Sequence, residues 1–354
     1  MLKSEIETKL SLSLITKLND EGKNSEAFLM HDPQLDAKFV VKKIPKTDFK
    51  SEEDYFKESK MLYYVKHPNI TKIQHSTSDQ NYIYLSMPYY ENGSLNSILD
   101  FKYLNVKEII QISLDFLTGL HYIHTKGLIH YDIKPSNILL NKNKRALITD
   151  FGLSKYINKH GLATQGKAYC SHRAPEQLFS SNTNNKTDIY QAGVTLFRMC
   201  NGNEYFYKLL KCYNSVPELY EAIKSGDFPS RDSFLPHIPF KLKKVVKTAL
   251  STNIDERWDT VLEMINEIAK VEKNIGWVYN KVNQNNMEWI TENTRGTHFE
   301  KIILKKDNNI WNILGKKIRK KDGYTQNMLN RTVKGIKSKE NAFDKIYKLI
   351  RDSN

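Results

Sequence analysis

The chain has 354 residues, 40% hydrophobic and 11% aromatic, which excludes a disordered polymer and, at this length, a single ordinary core; two or three domains are expected. Its net charge of +14 is uneven: residues 301–354 hold 15 Lys plus Arg against 5 Asp plus Glu, about +10 in the last 54 positions. Three cysteines (Cys170, Cys200, Cys212) at no metal-ligand spacing exclude a disulfide framework or a zinc site, and neither a signal-peptide core nor a run of 18 apolar residues is found, so the chain is read as cytoplasmic, with reduced thiols and no membrane partner.

Taken in chain order, residues 27–44 (AFLMHDPQLDAKFVVKKI) are expected to form a hairpin turning around Asp32 to Asp36, and YIYLSM at 82–87 another strand. Between them Phe56, Met61, Leu62 and Val65 recur at helical spacing, predicting a helix over 51–66 that His67-Pro68-Asn69 stops. Beyond residue 94, apolar stripes predict helices over 106–125, 187–201, 216–225, 241–251 and 258–273. A strand-rich front and a helical back imply two lobes. Past Trp277, the runs MEWITEN, HFEKIILKK and NIWNILGKKI alternate as three strands, and a helix near 338–352 gathers Ala342, Phe343, Ile346, Leu349 and Ile350 on one face.

One stretch breaks the ordinary pattern. In GLIHYDIKPSNILLN, residues 127–141, apolar positions of core character are interrupted by His130, Asp132, Lys134 and Asn137, which a buried segment carries only when they have partners or a task. Thirteen residues past Asn137, after ALIT, comes Asp150-Phe151-Gly152. Upstream stand Val40-Val41-Lys42 and, nine residues before His67, Glu58; downstream stand Ala174-Pro175-Glu176, Asp188-Ile189-Tyr190 leading to Gly193, and Arg257. In order and spacing these elements resemble the eukaryotic-type (Hanks-type) serine/threonine protein kinases over about residues 14–273.

The resemblance implies an α+β, bilobal fold: a kinase domain over 1–273, with a β-rich N-lobe to about 87, a hinge at 88–90 and a helical C-lobe over 91–273, followed by a small basic α+β module over 274–354. It implies transfer of the γ-phosphoryl group of ATP, with Mg2+, to a Ser or Thr hydroxyl of a protein substrate. Asp132 would orient the hydroxyl and take its proton, Lys134 would neutralise the moving phosphate, and Asn137 and Asp150 would hold magnesium. Lys42, paired with Glu58, would position the α- and β-phosphates; Met87 would guard a hinge in which Tyr89 and Tyr90 meet adenine; Glu176 would pair with Arg257.

Three features depart from the pattern or compete with it. The glycine-rich loop keeps one glycine, Gly22, and places Asn19, Glu21 and Asn24 at the three glycine positions, so Glu21 brings negative charge toward the triphosphate and a catalytically dead binding scaffold is the rival reading. Tyr131 stands where the family has the arginine that reads a phosphorylated activation loop. Gly161-Leu-Ala-Thr-Gln-Gly166-Lys167 matches a Walker phosphate loop, but Ala168 replaces its Ser or Thr and no strand leads in, so it is taken as activation segment. In the tail, GKKIRKKDGY with Arg331, Lys334 and Lys337 leaves two partners open, a nucleic acid or an acidic protein; strands followed by a helix opened by Ser-Lys-Glu faintly resemble double-stranded-RNA-binding domains.

Overall fold

The computed structural model describes residues 11–18, 26–49, 51, 54–164 and 170–351, the side chains of 57–59 and 62 excepted. Alternating patterns near the N-terminus become β1 (Ser13–Leu18), β2 (Glu26–Asp32) and β3 (Ala37–Pro45). The β2–β3 turn falls where the sequence places it, because the Asp32 carboxylate accepts the Gln34 and Leu35 amides and Asp36 takes a positive φ of 47°. Helix α1 spans Lys57–Tyr64, shorter at both ends than the expected 51–66; His67 Nδ1 accepts the Asn69 amide and turns the chain away. Strands β4 (His75–Ser78) and β5 (Tyr82–Pro88) complete an antiparallel sheet of order β1-β2-β3-β5-β4.

The helical lobe follows with α2 (Leu95–Phe101) and α3 (Val106–Thr125). Asn105 caps α3 by accepting the Glu108 amide at 2.8 Å while Glu108 accepts the Asn105 amide, a capping box that sets the start where the apolar stripe begins. Short strands β6 (Leu128–Ile129), β7 (Ile138–Leu140), β8 (Ala146–Ile148), β9 (Lys155–Tyr156), β10 (Ala163–Thr164) and β11 (Asn182–Thr183) carry the polar loops. Next come α4 (Lys186–Asn201), α5 (Asn203–Leu210), α6 (Val216–Ser225), α7 (Phe240–Ala249) and α8 (Val261–Ala269). Helix α8 starts later than the expected 258 because Arg257 and Trp258 are drawn inward, Trp258 Nε1 donating to the Val245 carbonyl, and Thr260 then caps the helix.

The lobe's core centres on α4. A Cβ at Gly193 would sit 2.9 Å from the Ala249 Cβ, so the glycine is what lets α4 and α7 meet. Among the described residues no helix is long and apolar enough to cross a membrane.

The tail forms a five-stranded antiparallel meander, β12 (Val278–Asn283), β13 (Asn286–Glu292), β14 (His298–Asp307), β15 (Ile310–Arg319) and β16 (Thr325–Ile336), then α9 (Lys339–Arg351). Sequence periodicity finds the three middle strands only. Asn308 and Asn309, both at positive φ, make the two-residue turn that fixes the β14–β15 register. Ala342, Ile346 and Ile350 of α9 close over Trp289, Ile302, Leu304, Trp311 and Ile313, forming a second core.

Candidate active site

Antiparallel pairing of β3 with β2 and β5 sets Lys42 opposite Ala27 and Leu85, and its side chain runs to the lobe junction. There Nζ lies 2.8 Å from Asp150 Oδ1. Asp150 follows β8 with φ of 63° and also accepts the Gly152 amide. Burial pulls its carboxyl upward, but the Lys42 charge and hydrogen bond outweigh that and hold it well below the ordinary carboxylate range.

The loop between β6 and β7 gathers the other polar residues. Asn137 Nδ2 donates to the Asp132 carbonyl at 2.9 Å and to Asp132 Oδ2 at 2.8 Å, and Lys134 Nζ lies 3.0 Å from the same Oδ2. Asp132 Oδ1 and Asn137 Oδ1 accept no hydrogen bond from any described residue. His130, wholly buried, donates from Nε2 to the Thr149 carbonyl and accepts the Asp132 amide at Nδ1, and burial lowers its pKa, so the ring is a neutral brace.

Asp188 at the start of α4 ties this loop down, accepting the His130 amide at Oδ2 and the Tyr131 amide at Oδ1, each at 2.8 Å. Gln191 accepts the Ile133 amide and donates to the Tyr131 carbonyl. These bonds hold Tyr131 at φ of 67°, a conformation that a bulky residue adopts only when its surroundings impose it.

Tyr131 is the functional side chain whose role sequence reading missed. Its phenol, buried in the lobe, donates to the Ala163 carbonyl at 2.8 Å and accepts from Thr183 Oγ1 at 3.0 Å. Ala163 and Thr183 are paired across β10 and β11, and Thr164 Oγ1 donates to Asn182 in the same ladder. A neutral side chain thus anchors this segment at the position where the family has an arginine. Further on, Glu176 and Arg257 form the expected bidentate pair at 2.8 and 2.7 Å, both buried, with Thr187 Oγ1 donating to the carboxylate.

The structure joins the Lys42–Asp150 pair to the Asp132–Lys134–Asn137 group, the Asn137 carbonyl accepting the amide of Thr149, next to Asp150, at 3.0 Å. Met87 lies buried at the end of β5, across from Val40 and 3.9 Å from the Thr149 hydroxyl, with Tyr89 and Tyr90 half-buried just beyond. Glu58 lies on α1, its side chain outside the described atoms, and Asn19, Glu21, Gly22 and Asn24 lie outside the described residues.

A protein kinase domain model matches residues 18–269. The chain is 26% identical over 262 residues to "Probable serine/threonine-protein kinase PknB" of Lactococcus lactis, covering 72% of this chain and 41% of that protein. It is 25% identical over 292 residues to "Serine/threonine-protein kinase PknD" of Protochlamydia amoebophila, covering 72% and 29%. To "Probable serine/threonine-protein kinase samkB" of Dictyostelium discoideum it is 36% identical over 163 residues, covering 42% and 27%. The chain spans less than half the length of these relatives. With the family model covering well over half of its residues and the cleft built as described, the chain belongs to the protein kinase domain family.

Proposed function

We propose that this chain is a protein kinase that transfers the γ-phosphoryl group of ATP to Ser or Thr hydroxyls of a protein substrate. The observation that carries the reading is the tethering of Asp132: Asn137 and Lys134 occupy one carboxylate oxygen and leave Oδ1 for an incoming hydroxyl, 18 residues ahead of the Asp150 that Lys42 reaches. Asp132 orients that hydroxyl and receives its proton, while Lys134 sets positive charge beside the group in transfer. Serine and threonine are preferred because Lys134 and the relatives' names both point that way.

Magnesium fits the donor set. Asp150 offers a carboxylate and Asn137 an amide oxygen that accepts no hydrogen bond from the described residues, hard donors of the kind Mg2+ takes alongside substrate phosphates; no cluster of three or more His, Cys, Asp or Glu suited to an all-protein metal site occurs among the described residues. When bound, the ion neutralises negative charge on the phosphates. Lys42 holds its position through Asp150, and Glu58 on α1 is its further partner in this reading, with Met87, Tyr89 and Tyr90 framing adenine. Residues 274–354 act as an accessory recognition module.

The test is to incubate the purified chain with labelled ATP, Mg2+ and a mixed protein substrate, beside Asp150→Asn, and to map the phosphosites. Incorporation at Ser and Thr, abolished in a folded Asp150→Asn chain, is expected. No incorporation by folded wild type would establish the rival scaffold reading, and labelling of tyrosine alone would overturn the hydroxyl assignment.

A further inference from the structure

The basic run of the tail is not one patch. Ile302 pairs with Gly315 on the face that α9 covers, so strand alternation sends Lys317 and Arg319 to that face and Lys316 to the other. Helix α9 lies over the Trp311 and Ile313 end and leaves the Lys317 and Arg319 end open. Here a pocket of about 300 Å³ is lined by Thr297, His298, Lys317, Arg319, Tyr324 and Gln326.

Its chemistry suits a compact anion. Lys317 makes no ion pair within 4 Å among the described residues; Glu300, its direct cross-strand neighbour, is taken by Arg331. Arg319 lies over the Tyr324 ring, 5.1 Å from its centroid, and shares an exposed pair with Asp322 at 3.1 Å, the kind of surface pair that a better anion displaces. Thr297, whose hydroxyl lies 3.1 Å from His298 Nδ1, and the Gln326 amide add polar groups to the lining. The acid that shares this face, Glu300, is held by Arg331 at 2.8 Å and stands 3.8 Å from His298.

A polyanionic backbone fits less well. Lys316 faces away, Lys320 pairs with Glu292 at 2.5 Å, and Asp322 and Glu300 border the pocket, so no continuous positive track crosses this face. The pocket wall includes β16, which among the described residues is an edge strand paired with β15, its residues 325–328 in regular register. Such an edge accepts an extended segment by main-chain pairing.

We propose that the open end of this sheet binds a phosphomonoester carried on a Ser or Thr of an extended protein segment, Lys317 and Arg319 taking the phosphate and the edge of β16 the backbone. This binding does not require phosphoryl transfer by the chain, so the whole-chain Asp150→Asn variant serves as well as wild type. The probe is a labelled peptide pool with a fixed central phosphoserine, read by fluorescence polarisation against the same pool with serine. Phosphorylated peptide binds at least about tenfold tighter, Lys317→Gln with Arg319→Gln erases that preference, and Lys316→Gln on the opposite face keeps it. Equal binding of both pools overturns the proposal, as does an equal loss in Lys316→Gln. Displacement by inorganic phosphate at the peptide's own concentration overturns the protein-segment assignment, and tighter binding of duplex RNA, weakened alike by all three substitutions, replaces it with a nucleic-acid surface.

Discussion

Replacing Tyr131 by Phe isolates the anchor of the activation segment. The ring and its packing survive, while the Ala163 carbonyl loses its donor and the Thr183 hydroxyl its acceptor, both at buried positions. A buried polar group left without its partner costs about 1–3 kcal/mol, and the Thr183 rotor recovers part of its share, so the loss is about 2–4 kcal/mol. The cost falls on the β10–β11 ladder, which is one residue pair longer than a single bridge, so it emerges as local opening before global unfolding. At 2 kcal/mol the open population rises about 30-fold. Limited proteolysis between residues 153 and 183 and amide exchange at Ala163 and Thr183 report that opening directly, with urea unfolding as the global measure. A loss below about 0.5 kcal/mol, with cleavage no faster than in wild type, would refute the reasoning and mean that the segment is held elsewhere.

Glu176→Gln breaks the bidentate pair and leaves the Arg257 charge buried, so stability falls by about 3–5 kcal/mol in urea titration; a change under 1 kcal/mol would mean that the Ser251 and Lys186 carbonyls satisfy the guanidinium unaided. Burial lowers the His237 pKa to about 4 from an ordinary 6.5, so the unfolded chain binds the extra proton between those values: the neutral ring's contribution is complete above about pH 6.5 and is lost on acidification toward pH 4, by up to about 3 kcal/mol. His237→Phe, which keeps a ring against Tyr279, flattens that slope in stability measured from pH 7 to 4; an unchanged slope assigns it to other groups.

The catalytic loop was legible because an apolar run seldom tolerates polar residues at fixed spacing unless they have a task, and Asp150 because a short apolar strand delivers it. What Tyr131 does was not, since its partners lie 32 and 52 residues away and one of them is a backbone carbonyl, which sequence does not distinguish. Strands β12 and β16 escaped for a different reason. Of β12 only Tyr279 is buried, and register shifts in β16 destroy the period of two that identifies a strand. The run GKKIRKKDGY reads as one patch in chain order, but strand alternation divides it, and Glu292 of β13 and Asp322 of the run itself pair with Lys320 and Arg319.

The tail's core is completed by the helical lobe, which bears on how the module works. Tyr103, between α2 and α3, meets Tyr279 edge-on at 4.6 Å and donates to Glu204 Oε2 at 3.0 Å, while Lys281 pairs with the same carboxylate. Gly202, at φ of 79°, makes room, since a Cβ there would lie 2.5 Å from the Tyr103 ring. On the other side Lys243 of α7 sits over the Tyr347 ring at 4.3 Å, and Leu235 packs into the tail cluster. A fragment cut at 274 would bare Tyr279, which meets Tyr103 and His237, so binding by the tail is to be measured on the whole chain. None of these joining residues belongs to the cleft of Lys42, Asp132 and Asp150. On the proposal above, a substrate carrying the phosphorylated segment is held close without displacing catalytic groups, so Lys317→Gln with Arg319→Gln is expected to raise its KM and leave kcat; a fall in kcat at unchanged KM would refute that route.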